Sequence, residues 1–376
     1  RPVSALRNLN ILDVLPQGMT CAEAPDVDLD APPYDAAGFV PGGVITPTCS
    51  GRTVRWIFGN QRLTTSDRDD RRFEFAVQFL ARVTNVAQNR DGLILGNGGD
   101  YTRVYVNYQD ELKNNVVFDF GAAEVVVSEP LLELTKDFAV ETADAADTLT
   151  VTVTATNNGT APAYNPRFLD DLTGVDFSYV GNVGGTNPPT VIDMTTYGPD
   201  SPVFAWDPGY EIPVGGQVSF TFDVLVGDTV QPLQVLENTI QADWTSLPSQ
   251  DTALNSTGQI GEDGAVDGMR IGALPNAGNA LNDYESEASD SVYVPPLVIT
   301  KTDLEPALPP EIGAHKPFQV QIDLPEGESN AVSLADDLAT GAVSYFLSDN
   351  ADFDVTYEFA GIASINGQPP SEAAFN

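Results

Sequence analysis

Two segments of this chain are versions of one another. PLLELTK ends at Lys136 and PLVITK ends at Lys301, 165 residues later (301 − 136 = 165). Each follows a β-rich run, AEVVVSE in one case and SDSVYVP in the other. Each is followed by a matched acidic segment, FLDDL with Asp170 and LADDL with Asp336, 34 and 35 residues on (170 − 136 and 336 − 301). A third copy, ILDVL with Asp13, stands near the start with no lysine segment before it. A repeat sets architecture before any single residue does, because every copy must build the same unit. The chain reads as a window on a tandem array of β domains.

The runs between these landmarks agree. RFEFAVQFLARV, YTRVYVNY, EVVVSE, TLTVTVTATN, QVSFTFDVLV and DSVYV alternate polar residues with β-branched and aromatic ones. Period two in such residues predicts strands with one buried face. Connectors rich in Pro and Gly, such as GNVGGTNPPT and LPNAGNAL, separate them. Many short strands per repeat predict β-sandwiches. The matched segments place three repeats: residues 1–129, lacking the first strands; 130–294, complete, with a long loop insertion; and 295–376, C-terminally incomplete. VRWIFGN with Trp56 parallels FAWDPGY with Trp206, FEFAV parallels FTFDV, and YTRVYVNY parallels NTIQADW. Pro130 and Pro295–Pro296 stand at the joints. Their fixed φ predicts a semi-rigid, extended row.

Charge narrows the partners. There are 17 basic and 54 acidic residues, a net charge of −37. This argues against nucleic acid and against anionic membranes. It permits divalent cations, and it equally suits simple solubility or a salty medium. Nothing approaches an apolar run long enough to cross a bilayer, and RPVSALRNLN is not a signal peptide. The two cysteines, Cys21 and Cys49, lie 28 positions apart within the first repeat. In an extracellular chain such a pair predicts a disulfide, contributing about 3–4 kcal/mol by chain entropy.

At TVTVTATNNGTAPAYN (residues 150–165) the chain resembles an Ig-like repeat of unknown function found in bacterial and archaeal surface and secreted proteins. That family has an alternating Thr/Val strand, an N-x-G-T-A-P-A-x-N corner and an x-L-x-D-x-L strand. A Trp before a P-G turn, a T-F-x-V strand and an N-T-A-x-V-x-W strand follow. Here these are Asn158 to Asn165, Asp170, Trp206 to Gly209, Phe222 to Val224, and Asn238 to Trp244. The match is good in the second repeat and partial in the others; in the third, QVQIDLPEGESNAVSL replaces strand and corner. The resemblance implies tandem Ig-like sandwiches in a cell-surface or secreted protein, and no enzymatic activity. The residues themselves suggest that Asn158-Gly159 makes a tight turn with positive φ, and that Pro162 lets the chain cross to the other sheet. Trp56 and Trp206 read as core.

Candidate chemistry is sparse. His315 is the single histidine, and HExxH, GxSxG, GxxxxGK[ST] and CxxC are absent. Asp170 and Asp171 could in principle serve a glycosidase, but adjacent strand residues point to opposite faces, which argues against that pair. The lysines carry more. Only four exist, Lys113, Lys136, Lys301 and Lys316, and two of them hold the same place in the repeat. A buried neutral lysine can attack an asparagine carboxamide with release of ammonia when a protonated carboxyl shuttles the proton. In the second repeat the trio would be Lys136, Asn238 and Asp170. In the third, Lys301 and Asp336 would need an asparagine beyond Asn376; the first has Tyr101 near the asparagine position and lacks the lysine that matches Lys136. The plain alternative is a lysine that pairs with an acid or snorkels, and an asparagine that satisfies backbone groups.

No cofactor is required, and calcium is the candidate cation. Glu262, Asp263 and Asp267 lie on a Gly-flexible loop inside the insertion, and Asp26, Asp28 and Asp30 alternate in DVDLD. A long ordered loop needs something to hold it, and the alternative is a solvated loop. The function expected is a non-enzymatic stalk, spacer, adhesin or filament component outside the cell. Its partners would be other copies or repeats, surface glycans or matrix. The rivals are a carbohydrate- or ligand-binding module using Tyr197, Trp206 and Tyr210, and accessory domains of a secreted enzyme.

Overall fold

The computed structural model describes residues 5–28, 44–62, 77–96, 103–109, 115–120, 123–248, 264–276, 281–307, 311 and 314–328. Among these the chain is all-β, without a helix. The first eleven strands are β1 (Ala5–Val14), β2 (Met19–Glu23), β3 (Val27–Asp28), β4 (Val44–Ile45), β5 (Thr48–Ser50), β6 (Thr53–Arg62), β7 (Leu80–Val83), β8 (Ile94–Leu95), β9 (Arg103–Gln109), β10 (Asn115–Phe120) and β11 (Val125–Val126). Then come β12 (Leu132–Phe138), β13 (Thr148–Asn157), β14 (Ala163–Asp170), β15 (Phe177–Gly185), β16 (Val191–Asp193), β17 (Val203–Ala205), β18 (Glu211–Ile212), β19 (Gln217–Val226), β20 (Val235–Thr245) and β21 (Glu285–Tyr293). The hairpin β22 (Val298–Asp303) and β23 (Phe318–Asp323) follows.

Strands β12 to β21 form a sandwich. One sheet has the order β12-β13-β19-β15; the other runs β16-β17-β14-β20-β21, with β18 on β14. The neighbours β12-β13-β19-β15 and β14-β20-β21 reproduce the A-B-E-D and C-F-G orders of an Ig constant-type sandwich. Alternation builds it. In β13, Leu149, Val151, Val153 and Ala155 point inward, and in β19 Val218, Phe220, Phe222 and Val224 do the same. The threonines between them face out. Between the sheets Phe204 lies 4.8 Å from Phe222 and Phe168 lies 5.4 Å from Phe220, ring centre to ring centre. Each such fully buried side chain stabilises the fold by roughly 1.5–3 kcal/mol.

The N-terminal residues repeat half of this plan. Their sheet, β10-β9-β1-β6-β5, has the same order as β21-β20-β14-β17-β16. Asp13 on β1 faces Val104 as Asp170 on β14 faces Ile240. Trp56 is buried with Leu9, Ile11, Val54 and Phe58. Packed against this cluster are Cys21 of β2, Val27 of β3, Ile45 of β4 and Phe79, which precedes β7; no counterpart of β12 or β13 is found among the described residues. Cys21 of β2 and Cys49 of β5 are joined as a disulfide, Cα atoms 5.8 Å apart.

The corner after β13 works differently from the expected tight turn. Neither Asn158 nor Gly159 has positive φ; Asn165, at the far end of the motif, has φ 48°. Gly159 is needed for close approach instead, because a Cβ there would stand 2.4 Å from both the Glu129 carbonyl oxygen and the Leu131 nitrogen. The turn is organised by Asn157, which is fully buried. Its side-chain oxygen accepts from the Leu131 and Gly159 amides, and its nitrogen donates to the Ala161 and Ile212 carbonyls. With the oxygen accepting two bonds and the nitrogen donating two, the buried carboxamide is fully paired. The chain crosses between sheets at Pro162, where β13 has ended and β14 is about to begin.

Candidate functional site

Strand β12 reads Leu-Glu-Leu-Thr-Lys-Asp-Phe, and alternate residues face the core. Leu132, Leu134 and Phe138 are three of the four inward positions. Lys136 is the fourth, so the strand period drives a cation between the sheets. Its side chain is fully enclosed, as is that of Asp170 on the facing sheet. Lys136 Nζ donates to Asp170 Oδ2 at 2.6 Å. Asn238 on β20, 1% exposed, donates through Nδ2 to the other carboxylate oxygen at 2.7 Å. Asp170 thus bridges lysine and asparagine, which belong to opposite sheets. The Phe138 and Phe222 rings flank the ammonium, their centres 5.9 and 6.0 Å away.

The electrostatics follow from the enclosure. Burial pushes the Lys136 amine down from its ordinary value, with Asp170 pulling it back. Burial pushes the Asp170 carboxyl up, against Lys136 and the Asn238 hydrogen bond. Both shifts favour the uncharged forms, because neither charge is hydrated here. The Asn238 Oδ1 is buried without a partner. A half-turn of the carboxamide sets that oxygen against Asp170, where a protonated carboxyl would satisfy it.

In the N-terminal sheet Asp13 is 8% exposed and its Oδ1 has no partner. Burial raises its pKa. Tyr101, like Asp336, lies outside the described residues. Lys301 is on β22 opposite Val320, as Lys136 is on β12 opposite Val153. Asp171, beside Asp170, is exposed and holds Thr173 and Ser201, so the two acids do face opposite ways.

Of the calcium candidates, Glu262, Asp263 and Asp30 lie outside the described residues, as does the side chain of Asp28. Asp26 is exposed. Asp267 presents its backbone oxygen to Arg82. Among the described residues no three carboxylate, histidine or cysteine side chains converge. The described part of the insertion is held by protein groups. Asn85 Nδ2 reaches Asn282 Oδ1 at 2.9 Å, and Arg270 Nε donates to Asn85 Oδ1 at 2.9 Å. Trp206 is 9% exposed and stacks on Tyr210 at 5.1 Å, while the Tyr197 hydroxyl donates to the Leu274 carbonyl. These three rings therefore do not make one exposed platform.

Sequence reasoning missed Asn157, Glu129 and Arg270. Asn157 ends an alternating strand on an inward position, which is the signal that marks it. Arg270 is an isolated base in an acidic insertion; its partner, Glu129, precedes Pro130 and is far away in sequence.

No family model matches the chain, and no curated protein sequence does. Among solved structures, BcpA, the major pilin subunit of Bacillus cereus, is 11% identical over 55% of this chain and 58% of its own, with a TM-score of 0.28. The full-length major pilin SpaD from Corynebacterium diphtheriae is 13% identical over 80% of this chain and 63% of its own, TM-score 0.29. AvmM, which catalyses macrocyclization in alchivemycin A biosynthesis, is 9% identical over 43% of this chain and 88% of its own, TM-score 0.23. The chain spans less than two thirds of either pilin. TM-scores this low establish neither a common fold nor a common function.

Proposed function

We propose that this chain is a non-enzymatic structural region of a cell-surface or secreted protein, a stalk, spacer or filament component, and that its sandwich closes an amide bond between Lys136 and Asn238. The supporting observation is the enclosed trio: a lysine on one sheet and an asparagine on the other, bridged by one carboxyl group. The neutral Lys136 amine attacks the Asn238 carboxamide carbon. Protonated Asp170 donates to the carboxamide oxygen and so stabilises the charge that develops there. The C–N bond to the leaving nitrogen breaks as the new bond to Nζ forms. A proton lost by the amine passes through Asp170 to the leaving group, which departs as ammonia. Asp170 begins and ends protonated, and no oxidant or cofactor is consumed. Enclosure supplies the orientation that makes a neutral amine and an unactivated amide react.

The consequence is mechanical. The bond ties β12 to β20 across the sandwich and closes a loop of 102 residues (238 − 136). By the chain-entropy argument used for disulfides, a loop of this size contributes about 5 kcal/mol. Under tension along the chain, residues between the two ends of the bond cannot extend. Single-molecule pulling of the whole chain tests this. Lys136→Met should add about 350 Å of contour length to full extension, at ~3.5 Å per released residue. Equal extension in both chains would refute the proposal.

A further inference from the structure

We infer that the corner after β13 and the insertion between β20 and β21 together form a socket for a glutamate placed directly before the joint proline of the preceding repeat. Glu129 occupies it here. Its Oε1 accepts from Arg270 Nη1 and from the Tyr284 hydroxyl, the latter at 3.1 Å. Its Oε2 accepts from the Asp91 amide at 2.8 Å, and its own amide donates to Asp91 Oδ1 and Thr160 Oγ1. Its carbonyl accepts from the Thr160 and Ala161 amides of the corner. Arg270 is 5% exposed and also donates to the Val86 carbonyl at 2.9 Å, so it clamps the N-terminal residues from the insertion's side. Tyr284 stacks on Trp244 at 5.8 Å, which fixes the floor.

The charged partner distinguishes this joint from the next one. There the corner Pro325–Glu328 approaches the sandwich in a similar way. A Cβ on Gly327 would meet the Val230 carbonyl at 2.4 Å, and the Glu328 amide donates to that same carbonyl at 2.8 Å. The residue before Pro295 is Val294, however, and brings no carboxylate. A corner glycine thus lies against the preceding part of the chain at both joints, while an arginine–glutamate pair with the arginine buried is present at the first. Pairing a glutamate with an enclosed guanidinium is stringent, since the guanidinium without it would be a buried charge lacking its counter-charge. The socket therefore selects a preceding repeat that ends in Glu-Pro, and it holds that repeat at one angle. These contacts do not involve Lys136, Asp170 or Asn238, so joint and cross-link stand or fail separately.

The test uses the full chain with its disulfide intact and spin labels at Arg55→Cys and Glu237→Cys, both exposed strand positions. The distance distribution between them should be a single narrow peak. Arg270→Ala and Glu129→Ala should each lose that peak to a broad distribution, and the charge-swapped double variant Glu129→Arg with Arg270→Glu should narrow it again. Hydrogen exchange on β13 and β19 reports separately that the sandwich is folded. If Arg270→Ala opens those strands, Glu129→Gln, which removes the charge and keeps an acceptor, is read in its place and should also broaden the peak. Unchanged width in a variant whose sandwich stays protected would overturn the socket.

Discussion

Asp170 and Asp13 occupy the same place on equivalent strands, yet their surroundings differ. Asp170 is enclosed with a lysine on one oxygen and an asparagine on the other. Asp13 is nearly as buried and leaves one oxygen without a partner. The sandwich around Asp170 has both sheets, and the sheet bearing β12 supplies the lysine. Around Asp13 the described residues include no equivalent of that strand. One acid thus has a partner on each oxygen, while its twin leaves an oxygen unpaired, at a cost to the sheet that carries it. The two parts also differ in which side chains could link strands covalently. The N-terminal part has a disulfide between β2 and β5, whereas the sandwich has no cysteine and carries the trio.

The largest effect expected from disturbing this contrast is on the sandwich. Lys136→Met removes the amine and the cross-link together, and should lower unfolding free energy by about 5 kcal/mol in denaturant titration. Asp170→Asn, which keeps the shape but cannot shuttle a proton, should likewise leave the bond unformed. Reduction of the disulfide comes next. It should destabilise the N-terminal sheets by about 3–4 kcal/mol and leave amide protection in β13 and β19 unchanged by hydrogen exchange. The smallest effect is at Asp13. Burial raises its folded pKa, so between its unfolded value, about 3.9, and that raised value the folded state holds more protons. Stability therefore falls as pH rises through this window. Asp13→Asn should stabilise the N-terminal sheets at pH 7 by about 1 kcal/mol and give a smaller gain at pH 4, read as the difference in melting temperature from the unaltered chain. An equal gain at both pH values would show that ionisation of Asp13 is not the cause.

Much of this was legible from alternation alone. Leu132, Leu134, Lys136 and Phe138 are spaced two apart, so a strand that buries its leucines must bury the lysine with them. The matched acidic segments place Asp170 and Asp13 alike, and each lies on the central strand of a sheet with the same strand order. The corner was less legible. NNGTAPA reads as a positive-φ turn, because Asn-Gly so often is one; here the glycine answers a neighbouring backbone that is distant in the local pattern, and it is the Asn157 side chain that pairs the backbone groups of the corner, while the Asn158 side chain donates to Glu133. The insertion was least legible. Its acids suggest a cation, and Glu262 and Asp263 lie outside the described residues; in the described part Arg270 meets Asn85, 185 residues away in sequence. Local pattern reports which way a side chain points, and it is silent about which distant segment meets it.

The cross-link requires that Lys136 and Asn238 join. The intact mass of the purified chain, followed by fragmentation of its proteolytic peptides, measures this most directly. The expected mass is one ammonia below that of the disulfide-bonded sequence, with a branched peptide linking Lys136 to residue 238. Lys136→Met and Asn238→Ala should each show the full calculated mass, allowing for the substitution. A wild-type chain at its full calculated mass, with Lys136 and Asn238 recovered in separate peptides, would contradict it.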